Sequence, residues 1–150
     1  MNPMSILELL LVEDNPQDLE LGLRALKRAG LANRIQVARD GAEALDYVFC
    51  EGAYASRSIT EVPRVVLLDL KLPKIDGIEV LRRLRADPRT RLIPVVVLTS
   101  SREQRDIVES YQLGVNSYIV KPVNFEQFIE AVNQIGLYWL LINQSPKEAQ

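Results

Sequence analysis

The sequence predicts a three-layer α/β fold, a doubly wound parallel sheet of five strands in the order 2-1-3-4-5 with helices on both faces. Three observations predict it. Short apolar runs alternate five times with helical patterns along the 150 residues. Two of the runs, Val65 to Leu68 and Pro94 to Leu98, are apolar without alternation, as in strands covered on both sides. Polar residues stand where four of the runs end, at Glu13 and Asp14, at Asp69, at Thr99 and Ser100, and at Lys121.

Ile6 to Val12 reads as the first, buried strand. Asn15 then caps a helix, Pro16 fits its first position, Leu19, Leu23 and Leu26 recur at helical spacing, and Gly30 stops it. Ile35 to Ala38 is a short second strand, and Ala42, Leu45, Val48 and Phe49 mark a second helix. Val65 to Leu68 is the third strand, followed by a turn punctuated by Pro73 and Gly77. Ile78, Leu81 and Leu84 give a third helix that ends near Asp87 and Pro88. Pro94 to Leu98 is the fourth strand, and Ser101 with Gln104 forms a capping box for the fourth helix. Ser117 to Val120 is the fifth strand, and Asn124 opens a fifth helix carrying Phe128, Val132 and Ile135.

Two segments fit less tidily. Glu51 to Arg64 is long for a helix-to-strand connection and is expected to be a mobile surface loop, with a partner-contact loop as the alternative. Gly136 to Ile142, GLYWLLI, extends the fifth helix with apolar residues nearly all round. It is either a last turn folding back on the domain or, through Tyr138, Trp139 and Leu140, an interface patch.

The length suits one domain over residues 1–150, with a core of about 6–142 and a polar tail of 143–150, and leaves no room for an output domain. Net charge is −2 with Lys and Arg scattered, which argues against a nucleic-acid footprint. There is no histidine, which excludes an imidazole base, a His-ligated zinc and a phosphohistidine made on this chain. The single cysteine, Cys50, reads as a small hydrophobe near a helix end and fits a reducing cytoplasm. Met1 to Ser5 lacks the basic and apolar regions of a signal peptide, and no apolar run approaches the ~20 residues of a membrane span.

The chemistry lies at the strand ends. Parallel strands point the same way, so Glu13, Asp14, Asp69, Thr99, Ser100 and Lys121 share one sheet edge, with the order reversing between the first and third strands. Crowded carboxylates repel, and one takes up a proton unless a cation intervenes. Oxygen ligands select a hard cation, and Mg²⁺ fits two carboxylates plus a carbonyl. A neutralised aspartate can act as a nucleophile toward phosphorus, with Lys121 and Thr99 meeting the charge of the phosphoryl oxygens. Each residue taken singly also has a plain reading, as a loop start, a cap or a solvated lysine.

With these residues on the page, the chain resembles the receiver domain of two-component response regulators, a flavodoxin-like fold. The likeness runs from about Ile6 to Ile142 and rests on LLVEDN (10–15), LLDLKLPKIDG (67–77), PVVVLTSS (94–101) and LGVNSYIVKP (113–122). The resemblance implies that Glu13 and Asp14 are the acidic metal pair and Asp69 the phosphoacceptor, with Lys71 giving its backbone carbonyl to the metal. It also implies that Thr99 is the switch hydroxyl, Ser100 the small residue leaving room for phosphate, and Tyr118 the aromatic that follows the hydroxyl. Lys121 is then the phosphate-pairing lysine and Pro122 the proline after a cis bond. The long loop and the aromatic end of the fifth helix are similar to the stand-alone regulators paired with phytochrome-type histidine kinases. The implied partners are such a kinase, a downstream protein and a second copy. The second copy is expected on the face of the fourth helix, fifth strand and fifth helix, which suits Tyr138 and Trp139.

Other functions are weighed against this one. A Mg²⁺ phosphohydrolase of the haloacid-dehalogenase kind would need a D-x-D motif, but Asp14 is followed by Asn15 and Pro16, and Asp69 by Leu70 and Lys71. A flavin or nucleotide binder would need a phosphate-cradling loop after the first strand, where EDNPQD supplies carboxylates instead. A receiver used only as an unphosphorylated scaffold would have no need of an intact pocket. The expectation is a phosphoacceptor module, not an enzyme acting on an outside substrate.

Overall fold

The computed structural model describes residues 9–31, 35–58 and 62–136. The strands are β1 (Leu9–Val12), β2 (Ile35–Ala38), β3 (Val65–Asp69), β4 (Val95–Thr99) and β5 (Ser117–Val120). They form one parallel sheet in the order β2-β1-β3-β4-β5, as the alternating pattern predicts. The helices are α1 (Pro16–Arg28), α2 (Gly41–Phe49), α3 (Gly77–Ala86), α4 (Arg102–Ser110) and α5 (Phe125–Gln134). Val12 pairs with Leu68, Asp69 with Leu98, and Thr99 with Val120, so the strand ends lie level along one edge.

The pleat divides the apolar residues into two half-cores. Leu9 and Leu11 of β1 pack with Leu19 and Leu26 of α1 and Phe128 and Val132 of α5. Leu10 and Val12 point the other way, toward Leu45 and Val48 of α2, Leu81 and Leu84 of α3 and Val108 of α4. Burying one such side chain is worth about 1.5–3 kcal/mol, so this sheet with both faces covered supplies most of the driving force.

Each of these five α-helices opens on a side-chain cap. Asn15, Asp40, Asp76, Ser101 and Asn124 accept from the backbone N–H three residues on, at 2.7–3.2 Å. Each cap is worth about 1 kcal/mol. At the other end of α1, Gly30 has φ 85°, and Leu31 N–H reaches back to the Leu26 carbonyl at 3.0 Å, closing the helix.

Strand boundaries differ slightly from the sequence pattern. The fourth strand runs one residue later than expected, Val95–Thr99, which makes Thr99 part of the sheet rather than its follower. Pro94 has no N–H to pair, though its carbonyl accepts from Val66 N–H at 3.0 Å. Residues 6–8 of the expected first strand lie outside the described residues.

The connection after α2 lies at the surface, as expected, and is anchored to α2 over the part described. Gly52–Tyr54 makes a 3₁₀ turn, and the Tyr54 ring packs edge-on against Tyr47 with centroids 5.0 Å apart. Tyr54 hydroxyl donates to Glu43 Oε2 at 2.8 Å. The Arg57 guanidinium lies 3.7 Å over the Tyr47 ring and donates to the Tyr47 carbonyl. Two aromatic rings and an arginine provide the anchorage that loop length alone could not disclose.

Helix α5 does not carry on into GLYWLLI as the apolar pattern suggested. Its last helical residue is Gln134, and Gly136 takes φ 75°, a left-handed conformation that breaks a right-handed helix. Residues 137–142, with the expected Tyr138–Trp139 patch, lie outside the described residues.

Candidate functional site

The site is built at the carboxyl edge of β1, β3, β4 and β5. Glu13 N–H donates to the Ala38 carbonyl at 3.0 Å, which carries sheet pairing one residue past β1. Its side chain is thereby turned inward, and the residue is 1% exposed. Asp14, next along, is exposed. Asp69, the last residue of β3, is 4% exposed.

Two glycines hold the segment after Asp69 in place. Gly77 N–H donates to the Leu70 carbonyl at 2.9 Å, and a Cβ on Gly77 would fall 2.4 Å from the Asp69 carbonyl oxygen. Gly41, at the start of α2, presses from the other side, where a Cβ would meet the Ile75 carbonyl oxygen at 1.7 Å. Both positions exclude any side chain because backbone passes where it would stand. Lys71 N–H folds back to Asp69 Oδ1 at 3.3 Å, while the Lys71 side chain is exposed. Asp14 and Lys71 then rim a shallow groove of about 500 Å³ floored by Leu70, Leu72, Ile78 and Val108.

Lys121 reaches the same point from β5. Its N–H donates to the Thr99 carbonyl at 2.7 Å, and the Lys121–Pro122 peptide bond is cis, as expected. Lys121 Nζ donates to Asp69 Oδ2 at 3.0 Å and to both Glu13 oxygens at 3.2 Å. It also lies 3.0 Å from Asp18 Oδ2. Burial on its own would lower the pKa of this ammonium. Hydrogen bonds to Asp18 and Asp69, and the charges of Asp69 and Glu13, outweigh burial and hold it above the ordinary lysine range.

The carboxylates show the strain of crowding. Oxygens of Glu13, Asp14 and Asp69 lie within 4.8 Å of one another. Burial, then the charge of Asp69 and a hydrogen bond shared with it, push the Glu13 pKa up to about 7, with Lys121 opposing. An oxygen-only, acid-rich set of this kind fits a hard divalent cation. Thr99 Oγ1 is buried and has no hydrogen-bond partner among the described residues, although a buried hydroxyl ordinarily finds one. Ser100 beside it is exposed, its N–H given to Gln104 Oε1 at 2.8 Å. Gln104 N–H thus bonds Ser101 Oγ as the capping box expects, while its side-chain oxygen accepts from Ser100 N–H.

Tyr118 stands half-buried on β5 with the Arg105 guanidinium 4.5 Å from its ring centroid. Burial, then the charge of Glu109, raise its hydroxyl pKa against the pull of Arg105. Tyr118 lines a polar groove of about 440 Å³ between α4 and α5.

The predicted residues Glu13, Asp14, Asp69, Thr99 and Lys121 thus meet at one edge, with Lys71 and Ser100 beside them and Tyr118 on the adjoining face. Tyr138 and Trp139 lie outside the described residues. Asp18 was missed. Its only sequence signal is a place three residues after the cap Asn15, which marks helix starts in general.

The chain is similar to known proteins over most of its length. The family model described as "Response regulator receiver domain" matches residues 9–133. The chain is 47% identical over 142 residues to the probable methanogenesis regulatory protein FilR2 of Methanothrix harundinacea, covering 94% of this chain and 88% of that protein. It is 37% identical over 139 residues to response regulator Rcp1 of Synechocystis, covering 93% and 91%. The Mn²⁺-bound form of response regulator Rcp1 superposes with a TM-score of 0.68, covering 88% of this chain and 93% of that one. The solved bacteriophytochrome response regulator RtBRR superposes with a TM-score of 0.84 at 54% identity, covering 89% and 80%.

Proposed function

The chain belongs to the response-regulator receiver family, and from that membership we propose that Asp69 is its phosphoacceptor, working with Mg²⁺ held by Glu13, Asp14, Asp69 and the Lys71 carbonyl. A phosphoacceptor role in two-component signalling follows from the family, with a histidine kinase as partner. The observation that carries the assignment to these residues is the meeting of Glu13, Asp14 and Asp69 within 4.8 Å, with Lys121 Nζ 3.0 Å from Asp69.

In this reading an Asp69 carboxylate oxygen attacks the phosphorus of the kinase's phosphohistidine. The P–O bond forms as the P–N bond breaks, and the departing imidazole takes up a proton. When bound, Mg²⁺ offsets the carboxylate charge and that of the transferring phosphoryl group. Lys121 donates to a phosphoryl oxygen from the β5 side. Thr99 Oγ1, partnerless in the resting site, donates to another. Ser100 has no large side chain to obstruct the group. No outside substrate is turned over, so the product is a phosphorylated protein.

The signal leaves through Tyr118. Thr99 moving toward the phosphoryl group vacates space into which the ring turns, changing the face of α4, β5 and α5. The groove lined there by Arg105, Glu109, Tyr118 and Glu130 supports an output role for that face, with a second copy as occupant. The likeness to bacteriophytochrome response regulators supports a phytochrome-type kinase. A kinase-coupled role fits the cytoplasm. No helix among the described residues is long and apolar enough to cross a membrane.

Incubation with Mg²⁺ and acetyl phosphate, followed by intact mass and sizing, tests the assignment. Wild type gains one base-labile phosphoryl group, and Asp69→Asn or a chelator abolishes the gain. Labelling of Asp69→Asn to the wild-type extent would overturn it.

A further inference from the structure

We propose that Asp18 is a positioning residue that holds back part of the Lys121 ammonium, and so sets how tightly the site grips a phosphoryl-shaped anion. The inference rests on the phosphoacceptor reading above and goes beyond it to a residue that reading does not use.

An ammonium has three N–H donors. In the resting site Lys121 Nζ lies 3.0 Å from Asp69 Oδ2, 3.0 Å from Asp18 Oδ2 and 3.2 Å from the Glu13 oxygens. All three donors therefore face carboxylates. A phosphoryl oxygen arriving on Asp69 gains a bond from Lys121 only if one of these three lets go.

Burial decides which one does. The Glu13 and Asp69 side chains are 1% and 6% exposed, so without a cation a charge left unpaired there meets little water, and with the proposed Mg²⁺ in place the cation would balance both and leave Asp18 as the carboxylate holding Lys121. The Asp18 side chain is 29% exposed, and water can replace the lysine. The Asp18 contact is thus the exchangeable one. Asp18 is also well placed to compete. Its N–H donates to the cap Asn15 at 2.9 Å, which fixes it in the first turn of α1, where the positive helix end favours a carboxylate. It is not among the clustered carboxylates Glu13, Asp14 and Asp69, and the contact it makes in the site is with Lys121.

The isosteric Asp18→Asn removes the competing charge and leaves the ammonium free to turn to the anion. The experiment is a titration of the full chain with beryllium fluoride in saturating Mg²⁺, followed by ¹⁹F NMR. Asp18→Asn is expected to bind the anion about threefold to tenfold more tightly than wild type, the scale of one partly exposed ion pair. Asp18→Glu, which restores the charge, stays within about twofold of wild type. Glu20→Gln serves as a control for surface charge in general, since Glu20 pairs with Arg24 at 2.7 Å on the exposed side of α1, and it is expected to leave affinity unchanged. Mg²⁺ affinity measured without fluoride does not rise in Asp18→Asn. Unchanged or weaker anion binding in Asp18→Asn, or equal tightening in Glu20→Gln, would overturn the proposal. Failure of wild type to bind the anion at all would instead overturn the phosphoacceptor assignment.

Discussion

The two ends of the sheet are built on opposite terms. At the amino edge of β4 and β5 polar groups are matched. Arg85, from α3, donates to the carbonyls of Arg91, Ile93, Leu113 and Gly114 and to Asn116 Oδ1, at 2.8–3.1 Å. Thr90 Oγ1 donates to the Leu84 carbonyl at 2.7 Å, and Ser117 Oγ to Gln134 Oε1 at 2.6 Å. At the carboxyl edge, carboxylates crowd around one ammonium and a buried hydroxyl has no partner. One end has its polar groups matched, and the other leaves bonding capacity unspent. A protein can hold an under-satisfied site only if the rest of the structure over-determines its position.

The comparison makes predictions of differing size. Arg85→Ala should cost the most, about 2–4 kcal/mol, because several carbonyls lose a charged donor at once. Urea unfolding should show the fall while phosphorylation per folded molecule holds, and Arg85→Lys should recover only part because an ammonium cannot span the same fork. Loss of phosphorylation with unchanged stability would break the distinction between the two ends. Gly77→Ala should cost about 1–3 kcal/mol, since the methyl meets the Asp69 carbonyl. Unlike Arg85→Ala, it should also slow labelling by acetyl phosphate in the fraction that stays folded. The smallest effect should have the opposite sign. Thr99→Val replaces a partnerless buried hydroxyl with a methyl and should leave stability equal or raise it by up to about 1 kcal/mol. The same variant should lose the Tyr118 response to beryllium fluoride, read by ring NMR signals. A clear destabilisation would show that the hydroxyl was satisfied after all.

Most of the architecture and most of the pocket could be read from the residues in order. Apolar alternation reports local periodicity, and polar residues at strand ends report an edge once the strands are known to be parallel. What escaped the reading depends on distant chain segments meeting. Arg85 sits in RRLRA, which looks like an ordinary solvated helix face, and only the topology brings two loops to its guanidinium. Asp18 looks like any acid in a first turn until β5 delivers Lys121 beside it. Gly77 reads as a turn glycine, while its larger constraint is the Asp69 backbone passing behind it. The end of α5 was misjudged for another reason, since the apolar run outweighed the glycine that stops it.

Asn116 carries one consequence further. Its Oδ1 accepts from Val95 N–H at 2.8 Å as well as from Arg85, and its own N–H donates to the Val95 carbonyl at 2.9 Å. The outermost strand is therefore clamped at its root, like a beam fixed in a wall. It cannot slide along its neighbour without breaking these bonds together. Its tip is tied as well, since Lys121 N–H donates to the Thr99 carbonyl at 2.7 Å, so a load on the Lys121 side chain meets a strand anchored at both ends whose register is fixed.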